Sequence, residues 1–190
     1  MRSNDRRQDH FCELLEPELI RLQAFCHRLT GNPESGDDLM QDGLYDAWKG
    51  FGRLRQEGAF KGWLYRIIVN RYRTSLRKFR KMENSTLPIA EDIADASQMR
   101  VRVARDRLKV AMSTLSASDR ALVTLRELEG WSYAELAAMF GRSECSLRTR
   151  LARCRCRMRE KLRRELERTD EALSKTGVFR RWIVVKQEKS

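Results

Sequence analysis

Proline is scarce in this chain, three residues in 190, and glycine is little commoner at ten. That shortage of chain-breaking residues excludes collagen-like and proline-rich architectures and leaves room for long regular elements. Only two histidines are present. No nucleophile–base pair, metal-ligand spacing or phosphate-binding glycine loop accompanies them, so no enzymatic role is expected. His10 and His27 read as surface or helix residues. Five cysteines, an odd number without a repeating frame, exclude a disulfide scaffold and fit a reducing cytoplasm. On a helix Cys154 and Cys156 point about 200° apart and cannot share one ion, so neither metal nor cofactor is expected. Runs of about 18 apolar residues are lacking. The basic segment Met1–Arg7 precedes no apolar signal core, so neither membrane insertion nor export is expected.

Positive charge is what the chain has in excess. Thirty-nine Lys and Arg against 27 Asp and Glu give a net charge of +12. Such a balance favours a polyanionic partner, and nucleic acid fits best because the arginines accompany helical apolar stripes.

Apolar periods of three and four recur almost throughout, which predicts an all-α protein. A first helix is expected over Pro17 to Leu29 with Leu19, Leu22, Cys26 and Leu29 inward. Residues 30–36 form a turn-rich loop, and Asp37 or Asp38 caps a second helix running to about Trp48. A loop over 51–58 leads to a long helix, or a helix pair, from Phe60 to about Arg80. Its core residues are Trp63, Leu64, Ile67, Ile68 and Leu76, while Tyr65 is open between core packing and base stacking. The acidic, apolar-poor stretch after Met82 reads as a flexible linker. The spacing therefore predicts two small helical domains, 11–81 and 99–168, joined by a linker over 82–98. A tail over 169–190 carries the apolar cluster Phe179–Val185. In the second domain Val103, Leu108, Ala111, Met112 and Leu115 lie on one helix, and Leu122, Val123, Leu125 and Leu128 on the next.

The most specific signal is a helix-turn-helix. Ser132 and Glu135 make a capping box, Leu136, Ala137 and Phe140 give an apolar face, and Gly141 suits the turn. Ser143 or Glu144 starts the second helix. At 100° per residue Leu147, Leu151, Cys154, Met158 and Leu162 share one buried stripe. The opposite side carries Thr149, Ala152, Arg153 and Cys156, flanked by Arg148, Arg155 and Arg159. Small residues beside arginines allow close backbone approach to a DNA groove while guanidinium groups reach base edges or phosphates.

Three segments of the first domain, Leu29–Asn32, Asp38–Trp48 and Phe60–Asn70, resemble the sigma-2 domain of extracytoplasmic-function (ECF) sigma factors. Leu115–Arg155 resembles their sigma-4 domain. The resemblance implies a sigma factor that binds core RNA polymerase through the β′ clamp and β flap and directs it to promoter DNA. It implies that Asp38, Gln41, Asp42 and Tyr45 dock on polymerase. Leu54, Lys61, Arg66, Asn70, Arg73 and Arg77 would hold the −10 element, with one flipped base entering a pocket near Leu54 and Asn70. Arg148, Thr149, Ala152, Arg153, Arg155 and Arg159 would read the −35 element. An anti-sigma partner, a cytoplasmic location and a free monomer are also expected. The family often has an aromatic residue where Leu54 stands, an acidic one near Thr74, a glycine at Cys145 and a valine at Leu147. A stand-alone helix-turn-helix regulator, or a decoy for an anti-sigma protein, are the alternatives.

Overall fold

The computed structural model describes residues 2–82 and 96–175, and every regular element among them is helical. Of the linker expected over 82–98, residues 83–95 lie outside the described residues, as does the cluster Phe179–Val185, while residues 82 and 96–98 are helical. Residues 2–82 and 115–154 form one compact unit, and 96–114 with 155–175 another.

The larger unit begins with a helix that the sequence reading left out, α1 (Arg2–Leu15). Phe11 holds it down, with its ring packed edge-on against Trp48, Phe51 and Phe60 at 5.5, 5.1 and 5.8 Å. Arg7 donates from Nη2 to the Trp48 carbonyl at 3.0 Å and lies 4.8 Å over the Trp48 ring. A turn over Glu16–Glu18, with Pro17 inside it, precedes α2 (Leu19–Thr30). Leu22, Phe25, Cys26 and Leu29 are buried, but Leu19 is exposed because it opens the first turn of α2 beside that bend.

The expected loop before the next helix is shorter than predicted. Helix α3 (Pro33–Gly50) starts at Pro33, with the Asn32 side chain accepting a hydrogen bond from the Ser35 amide. An N-cap asparagine followed by proline at the first helical position is a strong start signal, so neither Asp37 nor Asp38 is the cap. Asp37 instead pairs with His27 at 2.7 Å. Hydrogen bonds from His27 and Gln23 hold its carboxyl below the ordinary carboxylate range. Helix α4 (Phe60–Met82) crosses α3 closely. A Cβ on Gly43 would meet the Ile68 side chain, so glycine lets α3 and α4 approach here without moving Ile68. Leu64, Tyr65, Ile68, Val69 and Tyr72 are buried in α4, whereas Trp63, Ile67 and Leu76 are half-buried.

Helix α5 (Ala96–Ser113) belongs to the smaller unit. Ala111 and Met112 are buried, whereas Val103 and Leu108 are exposed. Five residues apart, they stand about 140° from each other on a helix. Helix α6 (Ala117–Val123), capped by Ser116, returns to the larger unit. It runs into a π-turn over Thr124–Leu128. The wider turn shifts the apolar phase, and Leu125 is buried while Leu128 is exposed. The Tyr72 hydroxyl donates to the Leu29 carbonyl at 2.7 Å and accepts from Arg120 at 2.6 Å. Trp131 stacks on Tyr65 at 4.9 Å, and Arg28 pairs with Glu129. These contacts join residues 115–154 to α2 and α4.

Candidate nucleic-acid interface

The helix-turn-helix forms as its sequence predicts. Ser132 Oγ accepts from the Glu135 amide at 3.2 Å, and the Glu135 carboxylate accepts from the Ser132 amide at 2.8 Å. Those bonds start α7 (Tyr133–Phe140) and hold the Glu135 carboxyl below its ordinary value. Gly141, at φ 62°, turns the chain in the left-handed region. Ser143 Oγ then accepts from the Ser146 amide at 3.3 Å, at the start of α8 (Glu144–Lys175). In α7 the buried face is Leu136 and Met139, with Ala137 and Phe140 half-buried.

Along α8, Leu147, Leu151 and Cys154 are buried, and Met158 and Leu162 half-buried. Arg150 turns toward α6 and binds the buried Asp119 carboxylate at 2.6 Å. That ion pair ties the second helix to the body of the unit. Arg148, Thr149, Ala152, Arg153, Arg155 and Arg159 are all exposed. Arg148 lies 4.7 Å over the Tyr133 ring and bonds Glu144 at 3.1 Å, which pre-orients its guanidinium. Farther along, Glu160 pairs with Arg163 and Arg164, and Lys161 with Glu165.

On α3, Asp38, Gln41, Asp42 and Tyr45 are exposed, at i, i+3, i+4 and i+7. Lys49 Nζ sits 4.1 Å over the Tyr45 ring. Asp42 is already engaged by Arg71 at 2.9 Å, and Asp46 by the same guanidinium at 3.4 Å. Arg71 therefore faces α3. The hydrogen bond to Asp42 raises its pKa above the ordinary value.

The other −10 candidates divide. Arg66, Asn70, Arg73 and Arg77 are exposed on α4, with spacings of four, three and four that keep them on one side. Asn70 Oδ1 accepts from Arg73 at 3.5 Å. Lys61 is half-buried, 4.7 Å over the Trp131 ring and 3.8 Å from Glu135. Tyr65 is no stacking platform, for only 1% of it is exposed. Burial, with Glu18 accepting its hydroxyl at 3.4 Å, pushes its pKa up. Trp63 packs with Phe60 at 5.9 Å, as its core reading requires.

Leu54 lines a cavity of about 230 Å3 between α1 and the loop that precedes α4. Its other walls include Arg7, His10, Phe51, Arg55 and Glu57. Asn70 is not among the lining residues. It lies ten residues past Phe60, about 15 Å along α4, so Leu54 and Asn70 do not share this cavity. Arg7 and His10 are the contributors that the sequence reading missed. The signal was there in part: Phe11 followed by Leu14 and Leu15 has the spacing of a helix face.

Comparison with known proteins gives this geometry its class. Residues 14–82 match the model of Sigma-70 region 2, and residues 105–158 that of Sigma-70, region 4. An all-helical chain with these two regions in this order is a sigma factor, which directs transcription initiation. The ECF RNA polymerase sigma factor SigM of Mycobacterium tuberculosis is 33% identical over 144 residues, covering 75% of this chain and 72% of that one. The RNA polymerase sigma factor CarQ of Myxococcus xanthus is 31% identical over 160 residues, covering 80% and 88%. The structure of the sigma factor RpoE of Bartonella quintana, in complex with the anti-sigma factor NepR, superposes with a TM-score of 0.59 at 26% identity. It covers 81% of this chain and 97% of that one. This chain belongs to the ECF family of RNA polymerase sigma factors. A stand-alone helix-turn-helix regulator would leave the region 2 match over 14–82 without a role. Among the described residues no helix is long and apolar enough to cross a membrane.

Proposed function

We propose that the chain works as a cytoplasmic specificity subunit, not an enzyme, that joins core RNA polymerase and places it on promoters with −10 and −35 elements. The observation that carries the assignment of roles is the open face of α8. Six residues, Arg148, Thr149, Ala152, Arg153, Arg155 and Arg159, are exposed opposite a buried apolar stripe, directly after a capped helix and turn. Small central residues flanked by guanidinium groups suit −35 readout in a major groove. Arg66, Asn70, Arg73 and Arg77 supply a second polar track for the −10 strand, where guanidinium groups hold phosphates and the amide pairs with a base edge. Lys61 joins that track when Trp131 and Glu135 release it.

Asp38, Gln41 and Tyr45 are the core-polymerase edge, with Asp42 contributing through its exposed carboxylate beside Arg71. The domain limits used for this reading are 11–81 and 99–168, with a linker over 82–98 and a tail of unassigned role over 169–190. An anti-sigma partner is supported by the similarity to chains solved with such partners. A decoy would have no use for exposed Arg66, Arg73, Arg148 and Arg153. The free chain is a monomer in this reading. In vitro transcription with core polymerase and mapping of start sites tests the whole. An Asp38→Ala, Gln41→Ala double variant keeps its helicity but co-purifies poorly with core polymerase; undiminished core binding would remove the docking assignment.

A further inference from the structure

Tyr133 carries none of the roles assigned so far. It is the first residue of α7, directly after the Ser132 cap, so the capping box fixes its backbone. The side chain is half-buried and reaches across the turn to α8, where the Arg148 guanidinium carbon stands 4.7 Å from the ring centroid. A second guanidinium, that of Arg126 in the π-turn, stands 4.5 Å over the same ring. Arg126 is itself tied down, for its Nη1 donates to the Trp131 carbonyl at 2.6 Å. Three elements thus meet at one aromatic ring: the π-turn, the start of α7 and the first turns of α8.

Arg148 is held by two restraints of different kinds. Glu144, one turn before it, accepts from its Nη2 at 3.1 Å, with the two side chains 46% and 60% exposed. An exposed pair of this sort is weak, is screened by salt, and occupies a donor that a base would need. Beside a phosphate backbone the Glu144 carboxylate is also repelled. The Tyr133 ring, by contrast, attracts the cation through its quadrupole and takes up no acceptor position. The guanidinium fork therefore keeps its N–H donors for a base edge. A long side chain anchored in this way loses less rotamer freedom on binding than one that swings freely. The ring contact is compatible with base reading, and the ion pair is not.

We propose that Tyr133 is a positioning residue for −35 recognition, holding the Arg148 guanidinium so that its fork meets one base. The proposal rests on the assignment of Arg148 to the −35 element. It gives the helix before the turn a share in sequence choice without a base contact of its own. Arg126 steadies the ring from the π-turn, and the capping box steadies the backbone beneath it.

The test uses holoenzyme assembled from the full chain and core polymerase. Bound promoter DNA carrying a randomised −35 segment is recovered and sequenced. Arg148→Ala first identifies the position that Arg148 reads, as the one where base preference flattens. There Tyr133→Leu lowers the ratio of preferred to next base about two- to fivefold, the scale of one exposed cation–ring contact. Other −35 positions keep their ratios. Tyr133→Phe, which retains the ring and drops the hydroxyl, keeps the wild-type ratio, as does Glu144→Gln. In an Arg148→Ala background Tyr133→Leu has no further effect. Circular dichroism verifies folding, and Tyr133→Met stands in for Tyr133→Leu should that variant not fold.

An unchanged ratio in folded Tyr133→Leu, or an equal loss at every −35 position, would overturn the proposal. So would a loss in Tyr133→Phe as large as in Tyr133→Leu, because the hydroxyl would then be the contact. A flattened ratio in Glu144→Gln would make the ion pair the positioning contact and overturn it as well. If Arg148→Ala flattens one position and Tyr133→Leu none, the positioning role is wrong and the −35 reading stands. If neither alters any position, the assignment of Arg148 to the −35 element falls, and the proposal with it.

Discussion

Replacing Trp131 with alanine perturbs the seam that joins residues 115–154 to the core of 2–82. The indole is 4% exposed, stacks on Tyr65 at 4.9 Å and carries the Lys61 ammonium over its ring at 4.7 Å. Truncating a buried tryptophan costs about 3–5 kcal/mol in transfer and cavity terms. Within that, the ring pair accounts for about 0.5–1.5 kcal/mol and the cation over the ring for about 0.5–1 kcal/mol. A small protein has only about 5–15 kcal/mol in all, so the loss is a large share. With a urea slope of about 1–3 kcal/mol per molar, the unfolding midpoint read by far-UV circular dichroism drops by at least about 1 M.

Ile20→Ala is the control, because Ile20 is 84% exposed and such changes stay within about 0.5 kcal/mol. Pairing Trp131→Ala with Lys61→Met in a double-mutant cycle isolates the cation contribution. Hydrogen exchange locates the effect: protection falls in α4, where the ring meets Tyr65 and Lys61. A midpoint shifted no more than that of Ile20→Ala, or unchanged protection in α4, would refute the seam as a cooperative element.

Three further outcomes follow from particular groups. Arg153→Ala costs about 1–3 kcal/mol and relaxes preference at one or two −35 positions, while Arg159→Ala weakens all sites alike and lowers the salt slope by about one; selection from randomised −35 DNA and salt titration measure both. Asn70→Ala leaves core binding intact but lowers permanganate reactivity of −10 thymines, and a pre-melted bubble restores much of the transcription, since a hydrogen bond of about 0.5–1.5 kcal/mol made only to the open state shifts that equilibrium several-fold. Glu135 has a folded-state pKa below its ordinary 4.5 because it accepts bonds from Ser132, so its stabilisation is present above pH 4.5 and is lost as pH falls through the lowered value. Melting curves of Glu135→Gln and wild type therefore differ most near neutral pH and converge in acid.

Much of the helix-turn-helix was legible because its determinants are local. Ser132 and Glu135 are three residues apart, Gly141 follows the last helical residue, and Leu147, Leu151 and Cys154 recur within two turns. Such relations are settled inside one helix, whatever packs against it. The start of α3 was equally local, written in Asn32–Pro33, and was misplaced only because the aspartates after it are also good caps.

Other assignments depended on which element meets which. Lys61, Arg66, Arg71 and Arg73 look alike in the sequence of α4. Tertiary packing sends Lys61 to Trp131 and Glu135, turns Arg71 to Asp42 and Asp46, and leaves Arg66 and Arg73 exposed. Tyr65 could have been a stacking surface until Phe25 and Trp131 closed over it. Leu54 and Asn70 seemed neighbours until the length of α4 separated them, and the wall opposite Leu54 came from α1 instead. The sequence by itself determined the helix-turn-helix, its caps and the apolar stripe of its second helix, because those rest on contacts between residues three and four apart. The partners of each charged or aromatic side chain were decided by the tertiary structure, because helical periodicity defines a face without specifying what will cover it.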